Sequence, residues 1–287
     1  MNGHPMIPSA IEAIKRRTSV RSYQARGLAA QTLQALRELL AQPRSGPFGN
    51  AVRFELISLD QAGRDEVRRL GTYGVIKGAS QYIAAAVGAA PRGMEDFGSC
   101  FEDVVVRCTQ LGLGTCWLGG SFDRAGFARQ IGLAQDEVLP CVTPVGYPAD
   151  RRSLMDRMMR AMAGSDDRKP WGELFFEDDF SHPLAEDQGR PQHQALRCVR
   201  LAPSASNKQP WRLVAGRGGS LHLFLQRTRG YGRWFPGVDL QRIDIGIAMS
   251  HLALAARELG LNGGWEQARP QIDAGEREYI ATWTPSH

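Results

Sequence analysis

Two arginines and a serine alternate along a short segment near the N-terminus. Arg17, Ser19 and Arg21 are each separated by one residue. If the segment is extended, alternate side chains point the same way. Two guanidinium groups and a hydroxyl could then hold a phosphate by charge-assisted hydrogen bonds. The alternative is a basic cluster at a helix end, which only offsets the helix dipole.

A second segment combines small polar side chains with two prolines. Ser204, Ser206 and Asn207 lie between Pro203 and Pro210, and Trp211 follows directly. Prolines stiffen the backbone, and hydroxyl and amide groups offer hydrogen bonds at the edge of a planar heterocycle. The alternative is a well-capped turn that binds nothing.

The overall charge favours an anionic ligand. The 287 residues contain 35 Lys and Arg against 30 Asp and Glu, a formal net charge of +5. This excess suits a phosphate-bearing small molecule and is below the charge density of a nucleic-acid surface, so no nucleic-acid partner is expected. The five cysteines show no CxxC spacing, which argues against a zinc site or a disulfide framework and favours buried thiols.

Other familiar site motifs are missing from the sequence. No GxGxxG follows a strand-like run and no GxxxxGK[ST] occurs, so neither a Rossmann dinucleotide domain nor a P-loop is indicated. The six histidines form no spaced pair, and His251 is interpreted as a packing or surface residue. We therefore predict no metal ligand.

The elements that carry these residues can be read from local patterns. Ser9 with Glu12 three residues later is a capping box, and Ile11 and Ile14 share one helical face, which predicts a helix that opens the chain. The first seven residues lack a basic start followed by an apolar run, and the apolar stretch 82–90 is too short to cross a bilayer. A cytoplasmic protein without a membrane partner is expected.

The chain contains an internal repeat. Residues 96–117 align without a gap on residues 244–265, with six identical positions where chance would supply about one or two. The identical pairs are Asp96/Asp244, Gly98/Gly246, Leu111/Leu259, Gly112/Gly260, Leu113/Leu261 and Trp117/Trp265. Both copies show apolar residues at helical spacing and end in Leu-Gly-Leu, which predicts two buried helices stopped by glycine. The alternative is two unrelated core helices with a similar ending.

The surroundings of the two helices favour a duplication. A Pro/Ser/Gly/Asn loop and a strand-like run precede each helix, at 43–50 with 53–59 and at 203–210 with 211–215. We predict a first half at 1–150, a crossover at 151–191 and a shorter second half at 192–287. The crossover carries four aromatic residues, which either pack on the body or lie in a solvated linker: Trp171, Phe175, Phe176 and Phe180.

The two polar motifs together resemble those of the FMN-dependent nitroreductase family. Segment 17–23, RTSVRSY, is similar to the family's RxSxR[FY] element. Segment 203–211, PSASNKQPW, is similar to its PSxxNxQPW loop, with one residue more between the proline and the asparagine than some members show. Segment 114–121, GTCWLGGS, resembles the part whose backbone amides face the flavin ring. Segment 144–148, PVGYP, followed by Arg151 and Arg152, resembles its closing strand and phosphate-binding residues.

One departure from the family pattern concerns where the motifs lie. A typical member carries both motifs in one subunit and builds two flavin sites as a homodimer. Here the RxSxR element lies in the first half and the SASNKQPW loop in the second, while the counterpart loop 43–50 has lost its pattern. The chain thus resembles the fused, single-chain subgroup. The resemblance implies an α+β nitroreductase-like fold, with two tandem α-β-α sandwich halves forming an intramolecular pseudo-dimer, and a monomer.

The resemblance also implies roles for individual residues. Arg17 and Ser19, with one or both of Arg151 and Arg152, would hold the FMN phosphate, and Arg21 would reach the ribityl chain or the N1/O2 edge. Lys77 is either a further anion contact or a solvated lysine. The other implied cofactor contacts are Leu118, Gly119, Gly120, Pro203, Ser204, Ser206 and Asn207.

The implied activity is a flavin-dependent oxidoreductase. NADH or NADPH would be the reductant, and a small molecule such as a nitroaromatic or quinone would accept the electrons. No catalytic residue is nominated, because the flavin carries the difficult chemistry. The alternatives are a different flavin reaction and a non-catalytic flavin-binding carrier or sensor.

Overall fold

The computed structural model describes residues 8–58, 75–150, 167–231, 237–268 and 270–286. Within these residues the chain folds into two sheets with helices packed between them, which confirms the predicted α+β class. The helices are α1 Ala10–Arg16, α2 Ala30–Ala41, α3 Gly93–Gln110, α4 Arg124–Gln130, α5 Trp171–Leu174, α6 Pro191–Arg200 and α7 Leu240–Glu258.

The first sheet is antiparallel throughout the described strands. Its strands are β1 Arg44–Ser45, β2 Ala51–Ser58, β3 Gln81–Gly88, β4 Gly114–Thr115, β5 Glu137–Val138 and β6 Val142–Gly146. Their order is β1-β2-β3-β6-β4, and β5 pairs with the end of β3. The apolar run at 82–90 becomes β3, which is buried on both faces over most of its length.

The second sheet contains residues from the predicted crossover. Its strands are β7 Phe175–Glu177, β8 Trp211–Ala215, β9 Leu221–Leu225, β10 Gly263–Glu266 and β11 Glu278–Pro285, in the order β10-β11-β9-β8-β7. Strand β7 runs parallel to β8, and the other neighbours are antiparallel. Phe175 and Phe176 are buried. The boundaries drawn between the halves and the crossover stay predictions.

The predicted ends of the helices are confirmed. Ser9 caps α1 by accepting a hydrogen bond from the backbone amide of Glu12 at 3.2 Å. Helices α3 and α7 both stop at a glycine with positive φ, 73° at Gly112 and 70° at Gly260. The next residue's amide then bonds back five residues, from Leu113 to Cys108 and from Leu261 to Ala256. This is the Schellman motif, which glycine favours.

The two repeated helices pack on each other with an approximate twofold relation. Helix α3 lies on the first sheet and α7 on the second. A Cβ at Gly98 would meet the backbone of Ile243, and a Cβ at Gly246 would meet the backbone of Glu95. Since Glu95 and Ile243 are themselves aligned, each contact is the counterpart of the other. The two glycines therefore let the halves approach closely at their centre.

Within the described ranges, no helix is long and apolar enough to cross a membrane.

Candidate functional site

A cavity of about 470 Å³ lies between the two halves. All ten predicted cofactor contacts that the structure describes line it: Arg17, Ser19, Arg21, Leu118, Gly119, Gly120, Pro203, Ser204, Ser206 and Asn207. Arg151 and Arg152 lie outside the described residues. Lys77 pairs through its backbone with the segment around Arg21, but it is exposed and does not belong to the lining.

The basic motif is extended and runs beside strand β4. Ser19 forms a parallel bridge with Thr115, and the amide of Val20 donates to the carbonyl of Thr115 at 2.8 Å. A Cβ at Gly114 would lie 2.7 Å from a methyl of Val20, so the two segments are in close contact. Pairing with β4 holds the chain straight, and Arg17, Ser19 and Arg21 consequently face the same cavity.

Arg17 is positioned by a buried carboxylate. Its side chain is 7% exposed, and its Nε lies 3.8 Å from an oxygen of Glu102, whose own side chain is fully buried on α3. The other oxygen of Glu102 accepts a hydrogen bond from the indole of Trp117 at 2.7 Å. Arg17 is thus connected through Glu102 to helix α3 and to the segment 114–121.

Glu102 also connects the two halves through His251. The Nε2 atom of His251 lies 2.9 Å from Glu102, and Nδ1 lies 2.7 Å from the carbonyl of Cys198. A carbonyl oxygen only accepts, so Nδ1 carries a proton. The contact between Nε2 of His251 and the Glu102 oxygen also needs one proton, which lies between these two atoms. The expectation that His251 is a packing residue understates its role, because it joins α7 to the carboxylate that positions Arg17.

The segment 116–121 forms one wall of the cavity. Leu118 exchanges two backbone hydrogen bonds with Val142, at 2.9 and 3.1 Å. A Cβ at Gly119 would lie 2.9 Å from a side-chain methyl of Leu240 of α7, so the second half packs closely against this wall. Arg124 donates to the carbonyl of Gly119 at 2.9 Å and fixes its orientation.

The proline-bounded loop forms another part of the cavity wall and has a strained conformation. Ser206, Asn207 and Gln209 have positive φ values of 48°, 53° and 48°. This region is costly for residues other than glycine, and such residues cluster at functional sites. The hydroxyl of Ser204 accepts from the amide of Gln209 at 2.9 Å. The polar side chains therefore brace the loop itself as well as facing the cavity.

An arginine that the sequence analysis missed lines the cavity next to this loop. Arg168 donates to the side-chain oxygen of Asn207 at 3.2 Å, and Asn207 donates to the backbone carbonyl of Asp167 at 2.7 Å. Among the described residues, three arginines therefore line the cavity: Arg17, Arg21 and Arg168. The only sequence signal was a basic pair, Arg168 and Lys169, inside the predicted crossover.

Asp244 is the acidic residue of the lining, and it was noticed only as part of the repeat. It lies in the second turn of α7, is 3% exposed and accepts a hydrogen bond from the amide of Ala205 at 2.9 Å. Burial raises the pKa of this carboxyl well above its ordinary value, and the charge of Asp239 raises it further. Cys141 also lines the cavity, and burial raises the pKa of its thiol, so the sulfur is not a thiolate.

The counterpart loop of the first half is used differently. Asp96, the residue aligned with Asp244, accepts from the amides of Phe48 and Asn50 at 2.8 Å each, and from the side chain of Asn50 at 2.9 Å. None of these residues lines the cavity. One loop therefore frames the cavity, and the other is fastened to its helix.

Comparison with known proteins agrees with this architecture. The family model described as "Putative TM nitroreductase" matches residues 9–256. A "putative nitroreductase" from Thermotoga maritima, at 20% identity and a TM-score of 0.60, covers 99% of this chain and 96% of its own. The predicted nitroreductase-like fold is confirmed.

Smaller solved structures match about half of the chain. A nitroreductase family protein from Clostridium novyi covers 52% of this chain and 91% of its own, at 18% identity and a TM-score of 0.40. A nitroreductase with bound FMN from Desulfitobacterium hafniense covers 51% and 93%, at 17% identity and a TM-score of 0.39. No curated protein matches the chain.

Proposed function

Because the chain belongs to the nitroreductase family described by the matching model, we propose that it is a flavin-dependent oxidoreductase that binds one FMN in the cavity between its halves. The observation that carries this proposal is the convergence of two half-sites. The RxSxR-like segment comes from the first half, and the SASNKQPW loop comes from the second.

The cavity suits FMN in size and in chemistry. Its volume of about 470 Å³ is within the range of small-molecule sites. Arg17, Arg21 and Arg168 provide positive charge for a phosphate, and Leu118 and Ile243 provide apolar surface for a ring. The Oδ2 atom of Asp244 is buried in the cavity lining without a hydrogen-bond partner among the described residues, as expected where a polar ligand completes the site.

The protein's own residues bind and orient the ligand in this proposal. FMN, when bound, supplies redox chemistry between NADH or NADPH and a nitroaromatic or quinone acceptor. Arg17, held by Glu102, and Arg168, held by Asn207, would fix the phosphate. The strained loop 203–209 would offer hydroxyl and amide groups without reorganising, because its own hydrogen bonds already set its shape.

The test is the flavin content of the purified protein, with two matched variants. We expect one FMN per chain by absorbance, before or after FMN is offered to the apoprotein. Asn207→Ala should weaken FMN binding by about tenfold, because it removes the partner that orients Arg168. Asn50→Ala is the control, since Asn50 bonds to Asp96 and Pro91 away from the cavity and should leave the FMN dissociation constant unchanged.

Three results would overturn the proposal. Two FMN per chain, or none after reconstitution, would contradict a single split site. Equal losses of FMN affinity in the Asn207 and Asn50 variants would mean that both loops contribute to FMN binding. A yellow protein that is not bleached by NADH or NADPH under anaerobic conditions would instead support a flavin carrier or sensor. A monomer in solution is part of the proposal, because both half-sites come from one chain.

A further inference from the structure

We propose that Asp244 acts as a neutral carboxylic acid in the cavity and that its Oδ2–H donates a hydrogen bond to an acceptor atom of the bound flavin ring. This inference rests on the proposed function, because it needs FMN in the cavity. It assigns a polar contact that the motif resemblance does not include. It makes Asp244 a binding residue of the site.

The first observation is an unused oxygen at the cavity wall. Asp244 is 3% exposed and lines the cavity, and its Oδ1 accepts the amide of Ala205 at 2.9 Å. Its Oδ2 is buried and has no hydrogen-bond partner among the described residues. Buried carboxyl oxygens are almost always paired in native proteins. The unpaired oxygen therefore points to a partner supplied by the ligand.

The second observation is the contrast with the aligned residue of the first half. Asp96 uses both oxygens as acceptors, for two backbone amides and one side-chain amide. Asp244 has the same place in the repeat, yet its loop supplies a single donor. Hydrogen bonding to the neighbouring loop accounts for both carboxyl oxygens of Asp96, but it accounts for only one oxygen of Asp244.

The surroundings favour the protonated form of Asp244. Burial and the nearby carboxylate of Asp239 both raise its pKa, and the amide of Ala205 opposes them only in part. The other charged or titratable groups of the cavity lining are Tyr231, Cys141 and the arginines Arg17, Arg21 and Arg168. A protonated carboxyl is a hydrogen-bond donor, whereas a carboxylate would repel the negatively charged phosphate of FMN. The flavin ring offers carbonyl oxygens and unprotonated nitrogens as acceptors.

The decisive substitution is Asp244→Asn. An asparagine keeps the oxygen that accepts from Ala205 and places an NH2 donor where Oδ2–H would lie. Asp244→Leu has a similar shape without either group. With apoprotein and FMN, measured by flavin fluorescence titration, we expect the Asn variant to bind within about threefold of the wild type and the Leu variant about tenfold more weakly.

The pH dependence gives a second readout that needs no variant to fold. Wild-type affinity for FMN should fall as the pH rises through the raised pKa of Asp244, because the donor is then lost. The Asn variant should not show this dependence. Asp96→Asn is the matched control: it turns an NH2 toward the amides of Phe48 and Asn50 and should destabilise the fold without changing the FMN dissociation constant.

Each contrary result points to one cause. If wild-type protein does not bind FMN, the proposed function fails and this inference fails with it. If the wild type binds FMN but the Asn and Leu variants are weakened equally, Asp244 accepts a hydrogen bond as a carboxylate, and this inference alone is overturned. Wild-type affinity in the Leu variant would mean that Asp244 does not touch the flavin.

Discussion

The close contact between helices α3 and α7 can be tested at two glycines. We expect Gly98→Ala and Gly246→Ala to destabilise the protein to a similar degree, although one glycine lies in each half. A Cβ at position 246 would lie 2.8 Å from the carbonyl carbon of Glu95 and from the amide nitrogen of Ser99. A Cβ at position 98 would lie 3.0 Å from the carbonyl carbon of Ile243. Relieving these overlaps requires the helices to separate by roughly 1 Å, since carbon contacts are optimal near 3.5–4.0 Å.

The magnitude follows from two opposing effects. Alanine improves the propensity of a helix interior over glycine by about 1 kcal/mol. Overpacking a tight interface costs about 1–3 kcal/mol, and more where backbone atoms must move. Both overlaps are with backbone, which puts the overpacking cost at about 3 kcal/mol or more, so after the propensity gain we expect a net loss of about 2 kcal/mol or more in the free energy of unfolding. FMN binding should weaken as well, because Leu240 and Ile243 of α7 line the cavity.

Urea denaturation of the apoprotein measures this effect. Gly27→Ala is the control: a Cβ there would have no neighbour within 4 Å, and its backbone does not require glycine. That variant should be unchanged or slightly more stable, by about 0.4–1 kcal/mol. The double variant should lose less than the sum of the single losses, since one separation relieves both overlaps. If either single variant matched the stability of Gly27→Ala, the close approach of the two helices would be refuted.

Two further predictions concern buried carboxyl groups, both measured by denaturation of the apoprotein. Glu102→Ala should cost about 3–5 kcal/mol in the free energy of unfolding, because Arg17, Trp117 and His251 lose their shared partner. Glu102→Gln should cost less, since its oxygen can accept from Trp117, its NH2 can donate to Nε2 of His251, and only the charge beside Arg17 is lost. Equal costs would contradict this pairing. The folded protein holds the proton of Asp244 above the ordinary carboxyl pKa, so this group lowers stability as the pH rises towards the raised value. Over that pH window the free energy of unfolding of the wild type should fall by up to about 1.4 kcal/mol per pH unit more than that of Asp244→Asn. If the two proteins showed the same dependence of stability on pH, Asp244 would be ionised in the folded protein.

The parts of the site that the sequence predicted are those encoded by local spacing. The alternation of Arg17, Ser19 and Arg21 predicts a common direction once the segment is extended, and pairing with Thr115 makes it extended. The two Leu-Gly-Leu helix ends follow from glycine's tolerance of positive φ. In each case the relevant neighbours are close in sequence or are fixed by one strand pairing.

The residues that the sequence did not predict depend on distant contacts. Glu102 and His251 meet across 149 positions, and neither has a local pattern that indicates a partner. Arg168 reaches the cavity through Asn207, 39 positions away, from a segment interpreted as a crossover. The free oxygen of Asp244 is a difference between two aligned aspartates, and only the number of donors in each folded loop distinguishes them.

Fusion of two copies into one chain explains how such a difference can arise. In a symmetric homodimer any substitution appears in both sites, so a change that fastens one loop also alters the other. In a single chain the two loops vary independently. Asp96 can then give both oxygens to its loop and stabilise the fold, while Asp244 keeps one oxygen for a ligand. Covalent linkage therefore permits the asymmetry of the two loops, with the structural role in one half and the proposed binding role in the other.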